Sequence, residues 1–186
     1  AGFGETGRHR GLKLERELAA QARESGVRII GPNCMGLYNP ASRLSFHTIF
    51  PKEPGGVGVV SQSGGNAIDL IYRAGQRGVR FSKVASYGNA VDLDESDFLE
   101  YLAGDAATRV VALYVEGVRD GARFRRALSE LAARKPVVFL KGGVGGGGAR
   151  ATLSHTGALA GDARVWESLA RQLGLITVSS LPEMVD

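Results

Sequence analysis

The sequence predicts an α/β chain whose parallel sheet is covered by helices on both faces, and three observations carry that expectation. Short continuous apolar runs, rich in β-branched residues, alternate with amphipathic segments from Val57 to Val178. The 27 glycines, about twice the usual frequency of roughly 7%, cluster directly after such runs at 55–65 and 142–148, where glycine permits tight strand-to-helix turns. Pro32, Pro40, Pro51 and Pro54 break regular structure between residues 31 and 56, which marks a loop and inter-domain linker with a boundary near Pro54.

The opening Ala1-Gly-Phe-Gly-Glu-Thr-Gly7 reads like the exit from a strand that starts earlier, so a fragment of a longer chain is expected. Leu14, Leu18 and Ala22, spaced four apart, predict a helix over about 12–25, with Gly26 as its C-cap and a strand at 27–30 behind it. Past the boundary the expected order is regular: strand 57–60, helix 66–77, strand 81–85, helix 95–102, strand 110–115, helix 122–133 and strand 137–140. The glycine-rich segment then leads to a helix at 164–173 and a strand at 175–178 that opens a further α/β domain. Three segments are thus expected: 1–54, 55–148 and 149–186.

Composition narrows the function classes. A hydrophobic content of 44% suffices for a buried core. No apolar run approaches the roughly 20 residues of a membrane helix, and the N-terminus lacks a secretion pattern, so neither membrane nor export is expected. The single cysteine, Cys34, excludes an internal disulfide and suits a cytoplasmic location. The net charge of +4 is spread over helical segments such as 119–134 without interleaved aromatics, which argues against nucleic acid and leaves room for a small anionic ligand.

In an open parallel sheet, ligands bind beyond the carboxyl ends of the strands, and the unusual polar residues gather there. Ser61-Gln-Ser-Gly-Gly65 places two hydroxyls and two unobstructed amides at a helix start, a geometry that suits phosphate; equally, Ser63 is an N-cap and the glycines form a turn. The run 142–148 lacks the Lys-Ser/Thr ending of a P-loop. His155 sits among small hydroxyl residues and glycines after a strand end, either as a hydrogen-bonding loop residue or exposed to a phosphate, whereas His9 and His47 are incidental. No second histidine or cysteine stands at metal-ligand spacing. Glu116 ends an apolar strand, a costly place for an unpaired carboxylate; it caps a turn or accepts Nδ1–H of a histidine so that Nε2 is the nucleophile. Cys34 is a small buried residue beside a turn, or lines the place where another thiol reacts.

Taken together, Gly31-Pro-Asn-Cys-Met-Gly36, Val57-Gly-Val-Val-Ser-Gln-Ser-Gly-Gly65, Gly88-Asn89, Tyr114-Val-Glu-Gly117 and Ser154-His-Thr-Gly-Ala-Leu-Ala-Gly161 closely resemble the NDP-forming (ADP-forming) acyl-CoA synthetases, with the succinyl-CoA synthetase α subunit a more distant relative. The resemblance implies that residues 1–54 are the end of a Rossmann-like CoA-binding domain plus linker, with Asn33 and Cys34 near the CoA thiol. Residues 55–148 would form a flavodoxin-like CoA-ligase domain, and 149–186 the phosphohistidine loop and the start of a further α/β domain. It further implies that His155 carries the phosphoryl group, that Glu116 orients its ring, and that Ser63, Gly64 and Gly65 hold phosphate. The implied reaction interconverts acyl-CoA, ADP and phosphate with carboxylic acid, ATP and CoA. CoA, ATP/ADP and Mg²⁺ are the implied cofactors, the nucleotide and metal held mainly by an ATP-grasp domain or subunit of an oligomeric enzyme. The alternative is a non-catalytic acyl-CoA-sensing module of a protein lysine acetyltransferase, which would not need a phosphorylatable histidine. A generic flavodoxin-like nucleotide binder explains the sheet but not the Ser-His-Thr-Gly block.

Overall fold

The computed structural model describes residues 2–143 and 163–186. One six-stranded sheet organises them: β1 (Gly36–Tyr38), β2 (Val57–Ser61), β3 (Phe81–Ser86), β4 (Val110–Val115), β5 (Val137–Lys141) and β6 (Ile176–Val178), in spatial order β1-β3-β2-β4-β5-β6. All neighbours pair in parallel except β1, which runs antiparallel to β3 at the edge. Numbered among themselves, the five parallel strands lie in the order 2-1-3-4-5. This is the flavodoxin-like winding, and it places the topological switch point between β2 and β4.

The alternation of side chains along the strands feeds two cores. Val60, Leu113, Val115 and Phe139 face α3 (Glu95–Gly104), α4 (Gly121–Ala132) and α5 (Ala163–Gln172), which bury Leu99, Leu128, Leu131 and Trp166 against them. On the other face Val59, Val84 and Ala112 meet Leu70, Ile71 and Ala74 of α2 (Gly64–Gln76), with Met184 of α6 (Leu181–Val185) packed alongside. Val59 and Val60 therefore serve opposite layers, as period-two geometry requires. Local chemistry starts the helices. Ser63 caps α2, Asp94 and Asp97 form a reciprocal capping box on α3, and Asp120 caps α4.

The helices and strands expected past Pro54 are present with ends shifted by a residue or two. The N-terminal helix, α1 (His9–Ser25), starts three residues before its expected position and ends at Gly26 in the left-handed conformation. Two differences follow from non-local pairing. Residues 27–30 form no strand: Ile29 N–H donates to the Asp92 carboxylate at 2.7 Å and Leu93 N–H to the Ile29 carbonyl at 3.1 Å, so a loop takes the backbone bonds a neighbouring strand would take. Conversely, the proline-rich stretch contains β1, because Tyr38 is buried with its ring 5.1 Å from Phe50 and 6.1 Å from Phe81. The sheet thus draws on all three expected segments, with β1 from the first, β2 to β5 from the second and β6 from the third.

Candidate functional site

The carboxyl ends of β2 and β4 are bridged by Gln62. Its buried side-chain oxygen accepts the N–H groups of Glu116 at 2.7 Å and Gly117 at 3.1 Å, while its own N–H donates to the Tyr114 carbonyl at 3.0 Å. The turn after β2 is fixed in the same way: Ser61 Oγ donates to the Ser63 carbonyl at 2.8 Å, and Ser63 Oγ accepts the Asn66 N–H at 3.3 Å. The first amides of a helix have no intrahelical acceptor. Those of Gly64 and Gly65 therefore face the switch point with the positive end of α2 behind them.

The segment 31–36 lies across this turn. A Cβ added at Gly64 would stand 2.9 Å from Met35 N and 3.4 Å from the Cys34 carbonyl carbon, whereas at Gly65 it would meet only Ser63 Oγ at 4.0 Å. Met35 N–H donates to Ser86 Oγ at 3.3 Å, Asn89 N–H to the Pro32 carbonyl at 3.0 Å, and Asn33 Nδ2 to Asn89 Oδ1 at 3.4 Å. Gly88 adopts φ +54°, and a side chain there would clash with the Pro32 and Asn33 carbonyls. Asn33 and Cys34 are thereby pinned against the ends of β3 and α2. Burial pushes the Cys34 thiol up, opposed by a hydrogen bond from the Gly36 backbone, which leaves the thiol protonated near neutral pH and unsuited to act as a nucleophile.

Glu116 stands where β4 leaves the sheet. Tyr114 Oη donates to its Oε1 at 3.1 Å, and its Oε2 is buried without a hydrogen-bond partner among the described residues. An orphaned buried carboxylate oxygen is costly, so this atom is placed for a donor that the described residues do not supply. Arg119, three residues on, donates to the Ala90 and Asn89 carbonyls at 2.8 Å each, tying the Glu116 loop to the loop that holds Asn33. His155 and most of the glycine run, 144–148, lie outside the described residues. Among the described residues no group of three or more His, Cys, Asp or Glu side chains converges as a metal site, and no helix is long and apolar enough to cross a membrane.

The expected residues Ser63, Gly64, Gly65, Asn33, Cys34 and Glu116 thus meet at one edge of the sheet. The sequence reading assigned no role to Gln62, Arg119 or Tyr114. Gln62 lies inside the expected Ser-Gln-Ser block, but its bridging role depends on β4 being the neighbour of β2. Beside the site, at the ends of β5 and β6, a cavity of about 480 Å³ is lined by Asn66, Tyr114, Lys141, Trp166 and Glu167 among others.

The family model of the succinyl-CoA ligase like flavodoxin domain matches residues 54–186. The whole chain aligns with an ADP-forming acetate–CoA ligase I of Archaeoglobus fulgidus at 46% identity, covering 27% of that protein. It aligns likewise with the α subunit of the ADP-forming acetate–CoA ligase II of Pyrococcus furiosus at 40% identity, covering 40% of it. Among solved structures, the dinucleotide-forming acetyl-coenzyme A synthetase 1 of Ca. Korarchaeum cryptofilum, in complex with phosphate and ADP, superposes with a TM-score of 0.88 at 35% identity, over all of this chain and 40% of that one. The chain accordingly spans less than half the length of these relatives. Together with the 2-1-3-4-5 sheet, these matches show that the chain belongs to the ADP-forming acyl-CoA synthetase family, with residues 54–186 forming its succinyl-CoA ligase like flavodoxin domain.

Proposed function

We propose that the chain is the phosphoryl-handling segment of an enzyme that interconverts acyl-CoA, ADP and phosphate with a carboxylic acid, ATP and CoA. The observation that carries this reading is the buried Glu116 Oε2 that lacks a described partner just past the end of β4, the strand beside β2, whose own end leads into the start of α2 with the Cys34 segment packed on Gly64. Ser63 and the amides of Gly64 and Gly65 hold phosphate while one of its oxygens attacks the thioester carbonyl; the C–S bond breaks, and CoA leaves as a thiolate near Asn33 and Cys34. Nε2 of His155 then attacks the phosphorus of the acyl phosphate, and the P–O bond to the acyl group breaks to release the carboxylate. A terminal oxygen of ADP finally takes the phosphoryl group from the histidine. Glu116 accepts the Nδ1–H of His155, which fixes the tautomer and stabilises the positive charge that develops on the ring.

Phosphoryl transfer depends mainly on positioning and charge stabilisation, and oriented amides at a helix start supply both. Mg²⁺ would neutralise charge on the transferring group, the metal and the nucleotide being held mainly by an ATP-grasp domain or subunit. The separate α subunit in Pyrococcus furiosus and the phosphate and ADP of the Korarchaeum structure support such a partner and an adenine nucleotide. On this reading residues 1–54 close a CoA-binding domain, 55–148 form the central ligase unit and 149–186 carry the phosphohistidine loop into the next ligase domain, all within a cytoplasmic, oligomeric enzyme.

The test is to incubate the complete protein with Mg²⁺ and γ-labelled ATP. An acid-labile, base-stable label is expected on His155 and is absent from His155→Ala. Undiminished labelling of His155→Ala overturns the assignment.

A further inference from the structure

Lys141 ends β5, one strand over from Glu116, and its side chain is only partly exposed. Its Nζ donates to the main-chain oxygen of Glu116 at 2.7 Å and also to that of Gly142, and lies 5.1 Å from the centroid of the Trp166 ring. Three sides of the ammonium are thus taken by two carbonyls and an aromatic face. Among the described residues Lys141 is in no ion pair, although withdrawing an ammonium from water is costly. The following residue is glycine for a steric reason, since a Cβ at 142 would stand 3.1 Å from Glu116 Cγ and would clash with the Tyr114 hydroxyl. The Lys141-Gly142 corner is therefore fitted to Glu116 on both its main-chain and its side-chain sides.

The neighbouring groups place the effect on Glu116. Facing this cluster are Tyr114 from β4 and Glu116 just after it, Tyr87 from the turn after β3, with Asp94 and Glu95 behind it, and Glu167 from α5 across the cavity. Gln62 holds the Glu116 N–H, and Lys141 holds its carbonyl. Between them they clamp both main-chain polar groups of one residue, at the point where the strand ends and regular pairing no longer holds it.

We propose that Lys141 is the positioning residue for Glu116, its ammonium pinning the main chain at the end of β4 so that the carboxylate is presented in a single orientation. The inference rests on the phosphohistidine reading above. A charged donor holds a carbonyl more strongly than a neutral amine, so positioning weakens when the ammonium loses its proton. Burial pushes that ionisation below the usual lysine range, and the nearby Glu116 charge pushes back. Phosphorylation therefore falls as pH rises through the lowered Lys141 ionisation.

The experiment is single-turnover phosphorylation of the complete protein between about pH 6 and about pH 10, comparing the parent with Lys141→Arg and Lys141→Met. The parent should lose rate on the alkaline side. Lys141→Arg should keep its rate there, because a guanidinium stays protonated, and Lys141→Met should be slower by at least about tenfold near neutral pH, with the gap to the parent narrowing on the alkaline side. Adding Lys141→Met to Glu116→Gln should cost less than about twofold more, because both act through one group. A purely structural clip would lower the melting temperature without moving the alkaline limb. Parental rates and profile in Lys141→Met, or an unchanged alkaline fall in Lys141→Arg, overturn the proposal; if Lys141→Met does not fold, the Lys141→Arg profile decides alone. A parent that acquires no histidine label overturns the phosphohistidine reading itself, which separates the two failures.

Discussion

Replacing Gly64 with alanine tests whether the turn after β2 and the Cys34 segment form one site. The added methyl would lie 2.9 Å from Met35 N and 3.4 Å from the Cys34 carbonyl carbon, and both are main-chain atoms that cannot rotate away. Overpacking of this kind costs about 1–3 kcal/mol, and replacing a helical glycine returns at most about 1 kcal/mol. The net loss is up to about 3 kcal/mol, or a fall of up to about 12 °C in melting temperature for a chain of this size. Gly65→Ala is the control, since its methyl meets only Ser63 Oγ at 4.0 Å; it should be neutral or stabilise by up to about 1 kcal/mol. Function separates the two further. In Gly64→Ala either the 31–36 segment or the first turn of α2 must move, so KM for CoA and for phosphate should both rise by about tenfold, equivalent to about 1.4 kcal/mol. Gly65→Ala should change either by less than about twofold. Urea unfolding and steady-state kinetics on the complete protein measure both quantities. Equal behaviour of the two variants in both assays would refute the argument.

Glu116→Gln keeps the size of the side chain and the acceptor for Tyr114 Oη but would weaken the charge-assisted bond proposed to the histidine ring, so single-turnover phosphorylation should slow by at least about tenfold with little loss of stability. A rate equal to the parent's would reduce Glu116 to a structural cap. Glu95, buried at the start of α3, has its carboxyl pushed from 4.5 up to about 7, chiefly by burial. Because the folded form holds the proton more tightly than the unfolded chain, this group's contribution is intact below about pH 4.5 and is lost as pH rises through about 7, a cost of about 3 kcal/mol. Glu95→Gln should therefore be more stable than the parent at about pH 8 and nearly equal to it at about pH 4.5. Urea midpoints at the two values check this, and an unchanged pH dependence in the variant contradicts it.

The residues that made the site legible were those with local signatures. Ser63 before two glycines and an apolar helix announces a capped helix start, and Ser63 does accept the Asn66 N–H. Glu116 stood out as a carboxylate at the end of an apolar strand, and it is there that a buried oxygen lacks a described partner. Gln62 had no such signature, because its partners are 54 and 55 residues away and become neighbours only when β4 lies beside β2. Lys141 likewise had no local signature, because its grip on the Glu116 carbonyl depends on β5 lying next to β4 in register. For His155 the residues left two readings open, and the phosphoryl-carrying role proposed for it rests on the resemblance of its block.

By itself the sequence determined the α/β class, the positions of most helices and strands and the edge at which polar groups gather. These follow from periodicity, capping and glycine placement, which act over a few residues and leave local marks. Only the tertiary structure decided that residues 27–30 give their backbone bonds to the loop at 91–93, that 36–38 joins the sheet antiparallel to β3, and that Gly64 rather than Gly65 touches the Cys34 segment. Those outcomes depend on which distant segments meet. Strand order, sheet edges and contacts between loops are fixed by burying shared apolar faces and pairing backbone groups across long stretches of chain, and no short stretch of sequence contains both partners.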